Sequence, residues 1–182
     1  MTRQTPCHDT TFGYLSVLES AEHGYFGGYL LISPLGRPLE FHCTAPIRPS
    51  RAQQILYGPT LRPFLVGEQI GATLLAKAEL KPSLVITDQP AALCLRSQMN
   101  TPLVQIHRGD NAGAGSSARL EALNHRWELP PGYETDRMAI ESLLTTLAKH
   151  VDLAEPFDRI HEAIREAQRI GGRGPEQHGH AA

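Results

Sequence analysis

Glu68 and Asp88 carry carboxylates at two places where a folded chain would put them to use. Glu68 falls near the start of a helix predicted over residues 61–80, opened by Thr60-Leu61-Arg62-Pro63 and ended by Lys81-Pro82. At about 100° per residue, Gln69, Thr73 and Lys77 share a polar face of that helix. Glu68 instead shares its side with Gly71, Ala72 and Leu75, the small apolar side that should pack on a sheet. An unpaired carboxylate there is costly and calls for a cation, a polar partner or water. The plainer alternative is a carboxylate that serves the positive end of the helix dipole. Asp88 ends Leu84-Val85-Ile86, an apolar run suited to a strand covered on both faces. Ligands of α/β sheets gather beyond the carboxyl ends of strands. Alternatively, Asp88 caps the helix that Pro90 opens.

The elements that must position these groups follow from the pattern. Residues 12–19 and 25–33 read as strands, the second thinned by Gly27 and Gly28, and Pro34-Leu35-Gly36-Arg37-Pro38 is a turn. In the third strand Leu39, Phe41, Cys43 and Ala45 alternate with Glu40, His42 and Thr44, which predicts one buried and one more polar face. Residues 12–45 thus form a three-stranded antiparallel meander. Ser50 is placed to cap a short helix over 51–57 before the long helix. The strand at 84–86, a helix over 90–99 and a strand at 103–106 make a βαβ unit, so those two strands are parallel. A flexible small-residue loop spans 110–117, and 118–127 fits neither helix nor strand clearly. Helices are predicted over 135–150 and 156–170. The expected organisation is a flexible leader (1–11), one α/β domain (12–150), a C-terminal helix (151–170) and a disordered tail (171–182). The fold class is therefore α/β: the meander followed by αβαβ in one mixed sheet of about five strands, with C-terminal helices.

Three antiparallel strands, a helix with an inward Glu, then a strand ending in Asp: this order resembles the ribonuclease H-like fold. The resemblance covers about residues 12–107 and rests on element order and the Glu68 and Asp88 positions. It implies catalytic carboxylates at Glu19, on the first strand, and at Glu68 and Asp88, with those three as metal ligands. A further carboxylate would come from a C-terminal helix, at Asp136 or alternatively Glu134. Such a cluster holds two Mg²⁺ or Mn²⁺ ions, one activating water and the other stabilising the leaving oxygen of a phosphodiester. His107, beside Arg108 and Asp110, would aid proton transfer or serve as an ordinary surface histidine. The chain departs from the pattern where active members carry Asp on the first strand: Glu19 is one methylene longer and stands at the strand's end. Residues 48–63 are an insertion before the main helix.

Within that insertion Arg48, Arg51 and Arg62 surround Tyr57, a cationic surface with one aromatic suited to phosphate and a stacked base, or else a solvated connector. Two functions stay open: a metal-dependent nuclease, or a non-catalytic module of the same fold that binds nucleic acid or another protein. Composition narrows the field further. The 182 residues carry a net charge of -2, so no global basic signature of nucleic-acid binding exists. Three widely spaced cysteines, Cys7, Cys43 and Cys94, exclude a CxxC zinc site and favour a reducing, cytoplasmic compartment. No signal-peptide pattern opens the chain, and no apolar run approaches the ~18–20 residues of a membrane span.

Overall fold

The computed structural model describes residues 10–108, 119–120 and 125–172. Most of the leader, all of the 110–117 loop and most of the tail expected above lie outside the described residues. The meander is present as β1 (Phe12–Ser20), β2 (Gly24–Ile32) and β3 (Pro38–Cys43). β4 (Leu84–Thr87) and β5 (Leu103–Ile106) follow, then β6 (Arg119–Leu120) and β7 (His125–Glu128). Among the described residues the sheet has seven strands in the order β3-β2-β1-β4-β5-β7-β6, so the expected five are extended by two. Those two come from the stretch that pattern left ambiguous. β1 lies between antiparallel β2 and parallel β4, with Leu15 beside Thr87.

Helices cover both faces. On one face lie α4 (Arg137–Ala148) and α5 (Glu155–Gly172). Ile140, Leu144, Phe157, Ile160 and Ile164 pack there on Phe12, Tyr14, Leu30, Ile86 and Ile106. On the other face lies a helical run of α2 (Leu61–Pro63), a π segment (Phe64–Gly71) and α3 (Ala72–Lys77). It packs with the 3-10 segment Pro90–Gln98 on Leu15, Val17, Leu31 and Val85. The Ser50 cap of α1 (Arg51–Tyr57) is present: Ser50 Oγ accepts from the Gln53 N–H at 3.2 Å, and Gln53 Oε1 accepts from the Ser50 N–H at 2.9 Å. α1 buries none of its residues.

Two expectations are corrected. The main helix is not uniform: Phe64–Gly71 follows an i→i+5 pattern, which turns less per residue and shifts the phase of its side chains. Its buried residues are Leu65, Val66, Gly67, Ile70 and Gly71, and Glu68 is exposed. In β3 the alternation is real but its sense is reversed. The Glu40 and His42 side chains are 14% and 28% exposed, whereas Leu39 and Phe41 are exposed at 44% and 38%. Glu40 is held inward because its carboxylate accepts the N–H groups of Glu79 and Leu80, at 3.0 and 2.7 Å, where α3 has ended.

The paired glycines of β2 set the spacing of both layers. A Cβ on Gly27 would collide with Ile70 of the π segment, and one on Gly28 with Ile160 of α5. Gly27→Ala and Gly28→Ala should therefore each destabilise the fold by about 1–3 kcal/mol, the usual effect of overpacking. Urea unfolding followed by circular dichroism measures this. A change within error at either position would show that the helix opposite it does not sit at this spacing.

Candidate functional site

Period-two alternation decides which carboxylates can meet. Along β4, Leu84 and Ile86 face α4 and α5, so Asp88, next in that parity, is carried to the same side. On β1 the residue of matching level and face is Ser16. Ser16 is fully buried and Asp88 nearly so, its side chain 8% exposed. α5 adds Asp158 and His161, and Arg108 follows β5 on the same face.

These side chains form one hydrogen-bonded chain. Ser16 Oγ donates to Asp88 Oδ1 at 2.8 Å. His161 Nε2 lies 2.9 Å from Ser16 Oγ and 3.9 Å from Asp88 Oδ2. With the serine proton committed to Asp88, Nε2 must be the protonated imidazole nitrogen and donate to Oγ. Nδ1 is then the acceptor that faces Arg108 Nη1 at 3.5 Å. Arg108 also pairs with Asp158 and approaches Asp88 Oδ2 at 3.7 Å. This is not the geometry of an activated serine, in which imidazole accepts the serine proton and a carboxylate orients the other nitrogen.

Burial pushes the His161 imidazole below its ordinary value, Asp88 opposes this, and Arg108 and Arg165 add to the lowering. The neutral form required by the hydrogen-bond directions is thus the favoured one.

The remaining sequence-predicted residues are not brought to this cluster. Glu19 has the opposite parity on β1 and pairs with Arg62 Nη1 at 2.7 Å and the Tyr25 hydroxyl at 3.1 Å. The Arg62 hydrogen bond is the main cause holding its carboxyl below the usual range. Glu68 lies on that same side, beside Cys94, whose thiol is pushed up by burial and then by the Glu68 charge. Asp136 receives Arg96 at 2.7 and 3.3 Å, and Arg96 also bonds the Met99 carbonyl at 2.6 Å. That places Asp136 where β5 begins, at the sheet end opposite to Asp88, and its alternative Glu134 accepts the local Gly132 N–H. His107 has the wrong parity: it lies 3.5 Å from Glu128 on β7, and its neighbour Arg108 faces Asp88. Gln89 joins the two sides, donating to Asp88 Oδ1 at 3.1 Å and accepting from Arg62 Nη2 at 3.3 Å.

The donor set does not fit a pair of divalent ions. Among the described residues no three His, Cys, Asp or Glu side chains converge on a metal position. Asp88, the one carboxylate at the expected strand end, already accepts from Ser16 and Gln89 and is faced by a guanidinium. Pattern reading missed Ser16, Arg108, Asp158 and His161. The i, i+3 spacing of Asp158 and His161, beside the apolar stripe Phe157, Ile160 and Ile164, was the available signal.

In the insertion, Arg48 and Arg51 are exposed and Arg62 is half-exposed against Glu19. Tyr57 stacks on Phe64, with ring centroids 4.3 Å apart, so one of its faces is already used.

The antiparallel meander, the parallel pair β1–β4 and the helical layers on both faces define a ribonuclease H-like fold. Among solved structures, the chain superposes on a cysteine-substituted catalytic domain of human endonuclease V with a TM-score of 0.53 and 14% identity, over 90% of this chain and 86% of that one. A second structure of human endonuclease V gives a TM-score of 0.49 at 13% identity, over 91% and 87%. Endonuclease V of Ciona intestinalis, in complex with a 23mer DNA containing an inosine, gives 0.40 at 14% identity over 58% of this chain. The chain spans 48% of that protein, about half its length. At these identities the likeness is one of fold. No family model matches the chain, and no curated protein matches it in sequence.

The lowered His161 pKa has a sign that stability measurements can read. The unfolded chain binds a proton at this histidine more readily than the folded chain does. Its contribution is therefore fully present above the unfolded value of about 6.5 and is lost as pH falls below it. Between about pH 8 and pH 5 the melting temperature should fall further in the native chain than in His161→Gln. Parallel pH profiles for the two proteins would disprove a neutral, partly buried His161.

Proposed function

We propose that the protein is a non-cleaving ribonuclease H-like module that binds the backbone of nucleic acid. The observation that carries this reading is the surroundings of Asp88: Ser16, His161 and Arg108 stand where a metal-dependent nuclease of this fold would need further carboxylates. Arginines replace metal as the partners of negative charge. Arg48 and Arg51 project from the insertion, and Arg62 and Arg108 flank the carboxyl ends of β1 and β5. Guanidinium groups bind phosphate oxygens in a fixed, bidentate fork and carry no base specificity. A fold shared with an endonuclease supports nucleic acid as the partner class. Cys43 and Cys94 are unpaired, as a cytoplasmic location would leave them.

The second reading is a metal-dependent nuclease using Mg²⁺ or Mn²⁺, favoured by the position of Asp88 at the end of β4 beside β1. A third, protein binding without nucleic acid, is favoured by Ile55 and Leu56 of α1, exposed at 66% and 82%.

One set of measurements separates them. Labelled single- and double-stranded DNA and RNA of about 20 nucleotides should bind with an affinity that falls steeply with salt. Arg48→Ala with Arg51→Ala should weaken binding about five- to tenfold and reduce the salt slope by about 2. With Mg²⁺ or Mn²⁺ present, the same substrates should remain intact. Cleavage that Asp88→Asn abolishes would replace this reading with the nuclease, and absence of binding at low salt would leave the protein-binding reading.

A further inference from the structure

β3 is an edge strand of the sheet, and its apolar side chains Leu39 and Phe41, on the same side as α5, are exposed there. Leu39 and Phe41 sit together on that face, two of the seven large hydrophobic side chains exposed among the described residues. Such clustering marks an interaction surface, whereas single exposed apolar residues do not. The backbone is open as well. The Thr44 N–H donates to the Gly27 carbonyl at 3.0 Å, so by antiparallel alternation Thr44, His42 and Glu40 bond toward β2. Phe41 and Cys43 then direct their N–H and carbonyl groups outward. Among the described residues, no backbone hydrogen bond takes these groups up.

We propose that this edge joins two copies of the chain through antiparallel pairing of β3 with β3, about a twofold axis at Phe41. The strand is complementary to itself in that register. Pairing about Phe41 sets Glu40 opposite the partner's His42 on one face and Leu39 opposite the partner's Cys43 on the other. The Glu40–His42 pairs, already formed within each strand at 3.1 Å, lie side by side with opposite charges facing, apolar meets apolar, and the two Phe41 rings meet at the axis. Only axes that pair outward-facing residues with one another preserve the hydrogen bonds. The neighbouring ones pass through Glu40 or His42 and set like residues directly opposite, which destabilises a strand pair when they are charged. Edge strands are usually protected by lysine, proline or a bulge. Here the bulge near Leu31 and Ile32 and the proline at position 38 lie at one end, and the centre at Phe41 carries no such protection. An isologous contact of this kind closes on itself and gives a dimer, not a fibre. The proposal does not rest on nucleic-acid binding.

Sedimentation velocity on the full chain should show a concentration-dependent dimer. Phe41→Lys, which places like charges at the axis, should raise the dissociation constant about tenfold or more. Phe41→Pro, which removes an outward N–H, should act in the same direction, and far-ultraviolet circular dichroism reports whether each variant is folded. Leu56→Lys, on the separate apolar surface of α1, should leave the dimer intact. The register has its own readout. In a Cys7→Ser, Cys94→Ser background, Leu39→Cys should give a covalent dimer on oxidation, because it faces Cys43 of the partner subunit at a Cα separation of about 5.5 Å. The same background without Leu39→Cys should not cross-link. A monomer at every concentration, a dimer unaffected by folded Phe41 variants, or no cross-link from Leu39→Cys would each overturn the proposal.

Discussion

Neighbouring residues of a strand point to opposite faces, so Gly27 and Gly28 open the sheet on both sides at one level of β2. The first admits Ile70 and Leu74 of the main helix, and the second admits Ile160 and Ile164 of α5. Both helical layers approach the sheet through this pair. The approach of α5 brings Asp158 and His161 to the carboxyl ends of β1 and β4. The approach of the main helix brings Arg62 to Glu19. The positions of Asp158, His161 and Arg62 follow from these two contacts.

The same alternation sorts the carboxylates. Asp88 belongs to the α5 side, whereas Glu19 and Glu68 belong to the side of the π segment. A cluster able to hold two metal ions would need them on one side. Each carboxylate is instead dealt with separately: Asp88 by Ser16, Gln89, His161 and Arg108, Glu19 by Arg62 and Tyr25, and Glu68 by solvent. Gln89 is the polar link between the sides, with its amide on Asp88 and its carbonyl on Arg62.

The fold was legible because its signals are local. Turn residues at Pro34–Pro38, the cap at Ser50 and the apolar run Leu84–Ile86 each specify an element without reference to the rest. The site was less legible for two physical reasons. An α-helical period assumed through Phe64–Gly71 gives Glu68 the wrong direction, and no sequence pattern announces an i→i+5 segment. Parity on β5 depends on which residue ends the strand, and a shift of one exchanges His107 for Arg108. β3 shows a further limit: alternation states that the two faces differ, but an edge strand's apolar face is buried only if something lies over it.

The Ser16–His161 contact joins residues 145 apart in sequence. Closing so long a loop costs entropy before any packing compensates for it. During synthesis the meander emerges early, with Phe12, Tyr14, Leu30 and Ile32 facing a layer that has not yet been made. That surface must wait, open to water and to other chains, until α5 arrives. The order of the elements thus leaves that side of the meander uncovered until α4 and α5 have been made.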